Sequence, residues 1–203
     1  MATITKIEPQ KNKQDRVNIF LDGEFFCAMQ HFVCVKYGLK ENLTVTKKHL
    51  QELTFESDKE QALNKVARLL QNGVKTEKQI ATYLKTKGYD PFITSYVLAK
   101  LKEYHYVDDQ AYAKQYVAST KRKYGKRKMQ FELKQKGVSE REIANVLNEF
   151  KSDQEVLQKL AEKYLKNKPT TYENLQKLAA NLASKGFEWD EISTVLRLYK
   201  KEL

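Results

Sequence analysis

The chain has 203 residues, 41% of them apolar and 31% charged, with a net charge of +11, which is room for one or two ordinary domains or an array of smaller units. No window approaches the roughly 18 consecutive apolar residues of a membrane span, and the opening "MATITKIEPQKNKQ" lacks the apolar stretch of a secretion signal. Two cysteines, Cys27 and Cys34, are too few for a disulfide framework and fit a reduced, cytoplasmic setting.

Residues 1–57 differ in texture from the rest. "ITKIEP" and "RVNIFLDGEFFCAM" alternate in the manner of strands, and Asp22-Gly23 is a hairpin turn signal, with a third strand as an option at the N-terminus. "QHFVCVKYGL" and "TKKHLQEL" then predict two short helices. This part is expected to be a small N-terminal α+β head.

From residue 58 onward the chain repeats itself. "IATYLKTKGYDPFITSYVLAKL", "MQFELKQKGVSEREIANVLNEF" and "LAANLASKGFEWDEISTVLRLY" align on Gly88, Gly137 and Gly186, spaced 49 residues apart and preceded by Lys87, Lys136 and Lys185. Ile80, Met129 and Leu178 stand eight before the glycines, and Leu84, Leu133 and Leu182 four before. Apolar residues at separations of three and four mark one helix face on each side of a glycine stop. Start signals of the type Ser/Thr-x-x-Glu/Gln occur at Ser57, Thr76, Ser139, Ser152 and Thr170, and Asp90-Pro91 is another. The predicted helices are 58–71, 77–87 and 91–104, then 109–123, 126–136 and 140–150, then 153–166, 172–185 and 189–201. The expected fold is mainly α: an elongated array of three tandem three-helix repeats, at 58–107, 108–151 and 152–203, preceded by the β-hairpin-containing head.

Few residues invite chemistry. Cys27, His31 and Cys34 offer three metal ligands with no fourth, a poor structural zinc site. No glycine pattern cradles phosphates, so no cofactor is expected. Asp108-Asp109 is the best candidate for a two-metal nuclease, but adjacent aspartates at a helix start have no converging acidic partner and serve better as caps. Asp58 and Asp153 are expected at the corresponding helix starts of the other two repeats.

The charge is more informative. Divided at 57, 107 and 151, the segments carry +1, +4, +5 and +1, an excess concentrated enough to suggest a polyanionic partner. Its centre is "KRKYGKRK": Lys121, Arg122, Lys123, Tyr124, Lys126, Arg127 and Lys128 around Gly125. Lys114 lies upstream on the side shared with Lys121. Tyr124 is placed either to stack on a base or to pack between helices. No residues look able to read base edges, so single- and double-stranded DNA are expected to bind with little sequence preference.

"YVDDQAYAKQYV", "LKQKGVSEREIANVL" and "TEKQIATYLKTKGYD" resemble the RecX family, bacterial regulators of the RecA recombinase, and "ITKIEPQKNKQDRVNIFLDGEFFCAM" is similar to the head of its longer members. These pieces cover essentially the whole chain. The departures are mild: Tyr112 stands for a more usual phenylalanine, and Val107 and Val138 for isoleucines. The resemblance implies a non-enzymatic role in recombination, DNA repair and the SOS response. Such proteins bind RecA and the RecA–DNA filament and lower strand exchange, ATP hydrolysis and co-protease activity. A monomer, without membrane attachment, is expected. The resemblance supplies no map of RecA contacts, so the candidate residues rest on charge. A competing reading is an autonomous DNA-binding or transcriptional regulator built from helix-turn-helix-like units, although Glu140, Glu142, Asp190 and Glu191 on the would-be recognition helices oppose entry into a groove.

Overall fold

The computed structural model describes residues 1–11, 13–148, 150 and 152–200. Contacts divide the chain into two compact units, Met1–Val74 with Ile80–Tyr106, and Lys75–Gln79 with Val107–Leu203. The predicted helix ends at 149–150 and 201 fall partly outside the described residues.

The first unit opens with strands β1 (Ala2–Gln10), β2 (Lys13–Leu21) and β3 (Glu24–Gln30). The optional third strand is therefore real, since β1 pairs antiparallel with β2 and β2 with β3. Both residues of the Asp22-Gly23 turn have positive φ, 50° and 91°, the geometry whose twist matches paired strands. Thr3 N–H donates to the Asp22 carboxylate at 2.9 Å, pinning the turn to β1. After the short helix α1 (His31–Lys36), a two-residue strand β4 (Thr44–Val45), which periodicity over so few residues cannot announce, completes the order β3-β2-β1-β4. Ile4, Ile19 and Met29 on the sheet are fully buried together with Leu50 from the next helix.

That helix, α2 (Lys47–Gln71), corrects two expectations. No glycine or proline interrupts these 25 residues, so the predicted short helix and the predicted 58–71 helix are one element. Ser57 is not a cap. It is fully buried inside α2, where its hydroxyl accepts the Gln30 backbone N–H at 2.7 Å. Asp58 likewise starts nothing and lies 3.7 Å from the Arg16 guanidinium. Burial pushes its carboxyl above the usual range, against the pull of Arg16.

Helices α3 (Glu77–Thr86) and α4 (Pro91–Glu103) follow. Ala62, Val66, Ile80, Leu84, Ile93, Val97 and Leu101 from α2, α3 and α4 are buried. Asp90 caps α4, accepting the Ile93 N–H at 2.9 Å, with Pro91 in the first turn.

The second unit holds α5 (Asp109–Thr120), α6 (Lys126–Gln135) and α7 (Glu140–Asn148), packed around Ala113, Val117, Met129, Leu133, Val138, Ile143 and Leu147. Then come α8 (Gln154–Leu165), α9 (Tyr172–Ser184) and α10 (Trp189–Lys200), around Leu157, Ala161, Leu178, Leu182 and Phe187. A mainly helical fold of three-helix units, following a small N-terminal antiparallel sheet in the chain, is thus as expected. Reciprocal caps form at Thr76–Gln79 and Ser139–Glu142. Two expected caps move by one residue. Asp153, not Ser152, accepts the Glu155 N–H, and Thr171, not Thr170, accepts that of Asn174. No helix among the described residues is long and apolar enough to cross a membrane.

Candidate nucleic-acid interface

The two aspartates part company. Asp108 caps its own helix, accepting the Ala111 N–H at 2.9 Å. Asp109 is buried, and its carboxylate accepts the Glu77 N–H at 3.0 Å. It thereby satisfies a free donor at the start of α3 and opposes the positive end of that helix dipole. Capping is the role of both, but of two different helices. Among the described residues no group of three or more His, Cys, Asp or Glu is placed to hold a metal ion. Cys34 is buried in the head, where burial pushes its thiol up to about 11, whereas His31 is exposed.

Helix α5 stops three residues short of the predicted end at 123. The Ser119 and Thr120 hydroxyls both donate to the Tyr116 carbonyl, at 2.8 and 2.7 Å, and such back-bonding competes with continued helix. Three adjacent cations follow and would crowd one another on a further turn. Instead Lys123 and Tyr124 N–H both return to the Thr120 carbonyl, making a compact turn.

This turn presents the charge. Lys114, Lys121, Arg122, Lys123, Lys126 and Arg127 are exposed. Lys128 is half-buried, 3.6 Å from the Glu132 carboxylate and 6.0 Å above the Tyr124 ring. Glu132 also receives the Tyr116 hydroxyl, and burial together with this bond raises the Tyr116 phenol. Arg127 lies 4.0 Å from Glu188. Among the described residues, Lys114, Lys121, Arg122, Lys123 and Lys126 have no carboxylate partner. Tyr124 is half-buried and packs against the core that holds Val117 and Met129.

Three cations, Lys126, Arg127 and Lys128, occupy the first turn of α6. Positive charge there opposes the helix dipole and costs a few tenths of a kcal/mol or more per residue. The helix start is held by a neighbour. Gly125 N–H donates to the Lys185 carbonyl at 2.9 Å and Arg127 N–H to the Gly186 carbonyl at 3.1 Å. The C-terminal turn of α9 therefore meets the first turn of α6, negative dipole end to positive. A Cβ on Gly125 would lie 2.3 Å from the Gly186 oxygen, so glycine is required at 125 by close approach.

The same junction occurs one repeat earlier. The Lys136 carbonyl accepts the Thr76 hydroxyl at 2.6 Å, and the Gln135 carbonyl accepts the Lys78 ammonium at 3.2 Å. A Cβ on Gly137 would strike the Lys78 side chain at 2.3 Å. Sequence reasoning took these glycines as helix stops, which they are: Val138 and Phe187 N–H reach back to the Leu133 and Leu182 carbonyls. It missed that the stops are also docking surfaces. The available signal was the shared Lys-Gly pair at a constant lag.

Comparison with known proteins agrees across the chain. Residues 2–46 match the regulatory protein RecX N-terminal domain, residues 108–147 the second three-helix domain of RecX, and residues 152–196 the third. Regulatory protein RecX of Clostridium tetani is 33% identical over 95% of this chain and 92% of its own length. That of Bacillus licheniformis is 34% identical over 97% of this chain and 77% of its own. A crystal structure of regulatory protein RecX superposes with a TM-score of 0.67 at 27% identity, covering 96% of this chain and 98% of the other. RecX from Lactobacillus salivarius, at 22% identity over 70% of this chain and 97% of its own, shares the fold with a TM-score of 0.63.

Proposed function

Since the chain belongs to the RecX family of regulatory proteins, we propose that it restrains a RecA recombinase, binding RecA and the RecA–DNA filament while the α5–α6 turn contacts DNA. The observation that carries the DNA contact is the start of α6. Three cations sit where the helix dipole opposes them, beside a turn carrying three more. Stability alone would not place them so, whereas a polyanion rewards it. The contact is to phosphates of single- or double-stranded DNA with little sequence preference, because long flexible side chains on a turn offer no fixed fork for base edges. In this reading the chain is a non-enzymatic cytoplasmic monomer whose later repeats begin at 108 and 152, acting on recombination, repair and the SOS response.

The acids Glu140, Glu142, Asp190 and Glu191 lie in the first turns of α7 and α10, which weighs against major-groove readers. The test is RecA's DNA-dependent ATP hydrolysis. Near-stoichiometric protein slows it, and a variant with the six cations from Lys121 to Lys128 changed to Gln slows it less. Unchanged hydrolysis at saturating protein refutes the reading.

A further inference from the structure

Tryptophan is highly buried on average. The chain has a single tryptophan, Trp189, and it is 68% exposed. It opens α10, a helix whose Ile192, Val195 and Leu196 enter the core of the last three-helix unit. An isolated exposed ring needs no explanation; its neighbours give this one meaning.

The residue before it, Glu188, lies 4.0 Å from the Arg127 guanidinium. Gly186 and Lys185, just upstream, accept the Arg127 and Gly125 N–H groups. Trp189 therefore adjoins the basic α5–α6 turn. On α6 itself a second ring, Phe131, is 56% exposed. It stands four residues after Arg127, the spacing that puts two side chains on one helix face. Beside these rings Lys121, Arg122, Lys123 and Lys126 are exposed and have no carboxylate partner among the described residues. The acids at the start of α10 are partly engaged. Glu188 faces Arg127, and the Glu191 carboxylate accepts the Glu188 N–H at 2.7 Å. With Asp190 counted in full, the surface is still strongly positive.

We propose that Trp189 stacks on an unpaired base while the α5–α6 turn holds the adjoining phosphates, so that this surface takes single-stranded DNA in preference to duplex. This rests on the phosphate contact proposed above and narrows its ligand. A stacking ring beside a row of cations is the combination that binds a single strand without reading its sequence, and every unpaired base offers a free π-face. In a duplex those faces are covered by neighbouring base pairs, so the ring adds nothing there. A protein surface is the poorer occupant. Interface cores are depleted of Lys, Asp and Glu, whereas Trp189 is flanked by Glu188 and Asp190, and Phe131 shares its face with Arg127, Lys134 and Gln135, all exposed. A second copy of the chain would bring an equal positive charge against the turn.

The chain carries its own reporter, since red-edge emission comes from position 189 alone. The probes are oligo(dT), an abasic strand of the same length, and a duplex, each labelled so that anisotropy reports binding. Oligo(dT) should quench the emission, while the abasic strand, offering the same phosphates, binds without quenching. Trp189→Ala should lower affinity for oligo(dT) by about fivefold or more, and Trp189→Phe should recover part of it. Both variants should keep the wild-type duplex affinity, salt slope and melting temperature. Equal quenching by the abasic strand, wild-type affinity of Trp189→Ala for oligo(dT), or an equal loss on oligo(dT) and duplex overturns the proposal and leaves the phosphate contact standing. Binding of none of the three probes overturns both. Emission that responds instead to RecA without DNA, or to the protein's own concentration, assigns the ring to a protein contact and overturns the proposal likewise.

Discussion

Replacing Gly186 with alanine separates the two duties of a junction glycine. The first is conformational: at φ +84° an alanine costs about 1 kcal/mol. The second is contact. The new Cβ would fall 2.2 Å from the Lys128 nitrogen and 2.8 Å from its Cα, both backbone atoms that cannot rotate aside. The α9 turn must then withdraw from α6, breaking the Gly125–Lys185 and Arg127–Gly186 hydrogen bonds. At roughly 1 kcal/mol for each bond, the total comes to about 3 kcal/mol. Gly88→Ala is the internal control, because it carries the same strain at φ +82° with no neighbour within 4 Å and should cost only about 1 kcal/mol. Urea denaturation measures the two losses, and amide exchange at Gly125 and Arg127 locates the damage. Wild-type exchange at those two amides in Gly186→Ala, or equal losses in the two variants, would refute the argument that these glycines are selected by docking.

Three further outcomes are expected. DNA affinity should fall with a log–log salt slope of about −3.5 if the five exposed cations from Lys121 to Arg127 each neutralise a single-strand phosphate, roughly a hundredfold between 50 and 200 mM, and a filter-binding titration whose slope survives their change to Gln removes the turn from the interface. Asp109→Ala should cost about 1–3 kcal/mol by stranding the Glu77 N–H, while Asp109→Asn, which keeps an acceptor oxygen, recovers most of it; equal losses in thermal melts would mean that charge, not the bond, matters. Ser57→Ala should destabilise by a similar amount, because the Gln30 N–H loses its acceptor inside the helix, and a neutral result would show that this amide finds another partner.

Helix faces, glycine stops and most caps were legible because they are written in local spacing: Leu84, Leu133 and Leu182 each stand four residues before a glycine, and Thr76 and Ser139 each find their partner three residues on. Ser57 carried the same local signature and failed, since nothing around it halts α2 and its hydroxyl answers to Gln30, 27 residues away. Asp109 shows the same limit. Its place at the start of α5 was readable, but its bond to Glu77 spans 32 residues and leaves no periodic trace. For the basic turn, sequence gave the residues but not their standing. That Lys128 is tied to Glu132 and that Tyr124 faces the core are matters of packing, and only the first had a hint, in the four-residue spacing.

The junctions explain how a helix can begin with three cations at all. An isolated α6 would have unsatisfied N–H groups at its start and positive charges set against its own dipole. The carbonyls of Lys185 and Gly186 supply the acceptors that the α6 sequence lacks, because Gly125 has no capping side chain. The neighbour thus takes over the work of an N-cap, and the side chains of the first turn are released to point outward. At α3 the arrangement is more conservative: Thr76 caps locally, Asp109 adds a carboxylate, and only the Thr76 hydroxyl and the Lys78 ammonium reach the next turn. The difference between the two junctions follows the charge. Where the helix start is basic, its backbone bonds come from the adjoining repeat, and disrupting that repeat should disorder the basic turn even though none of its own residues has changed.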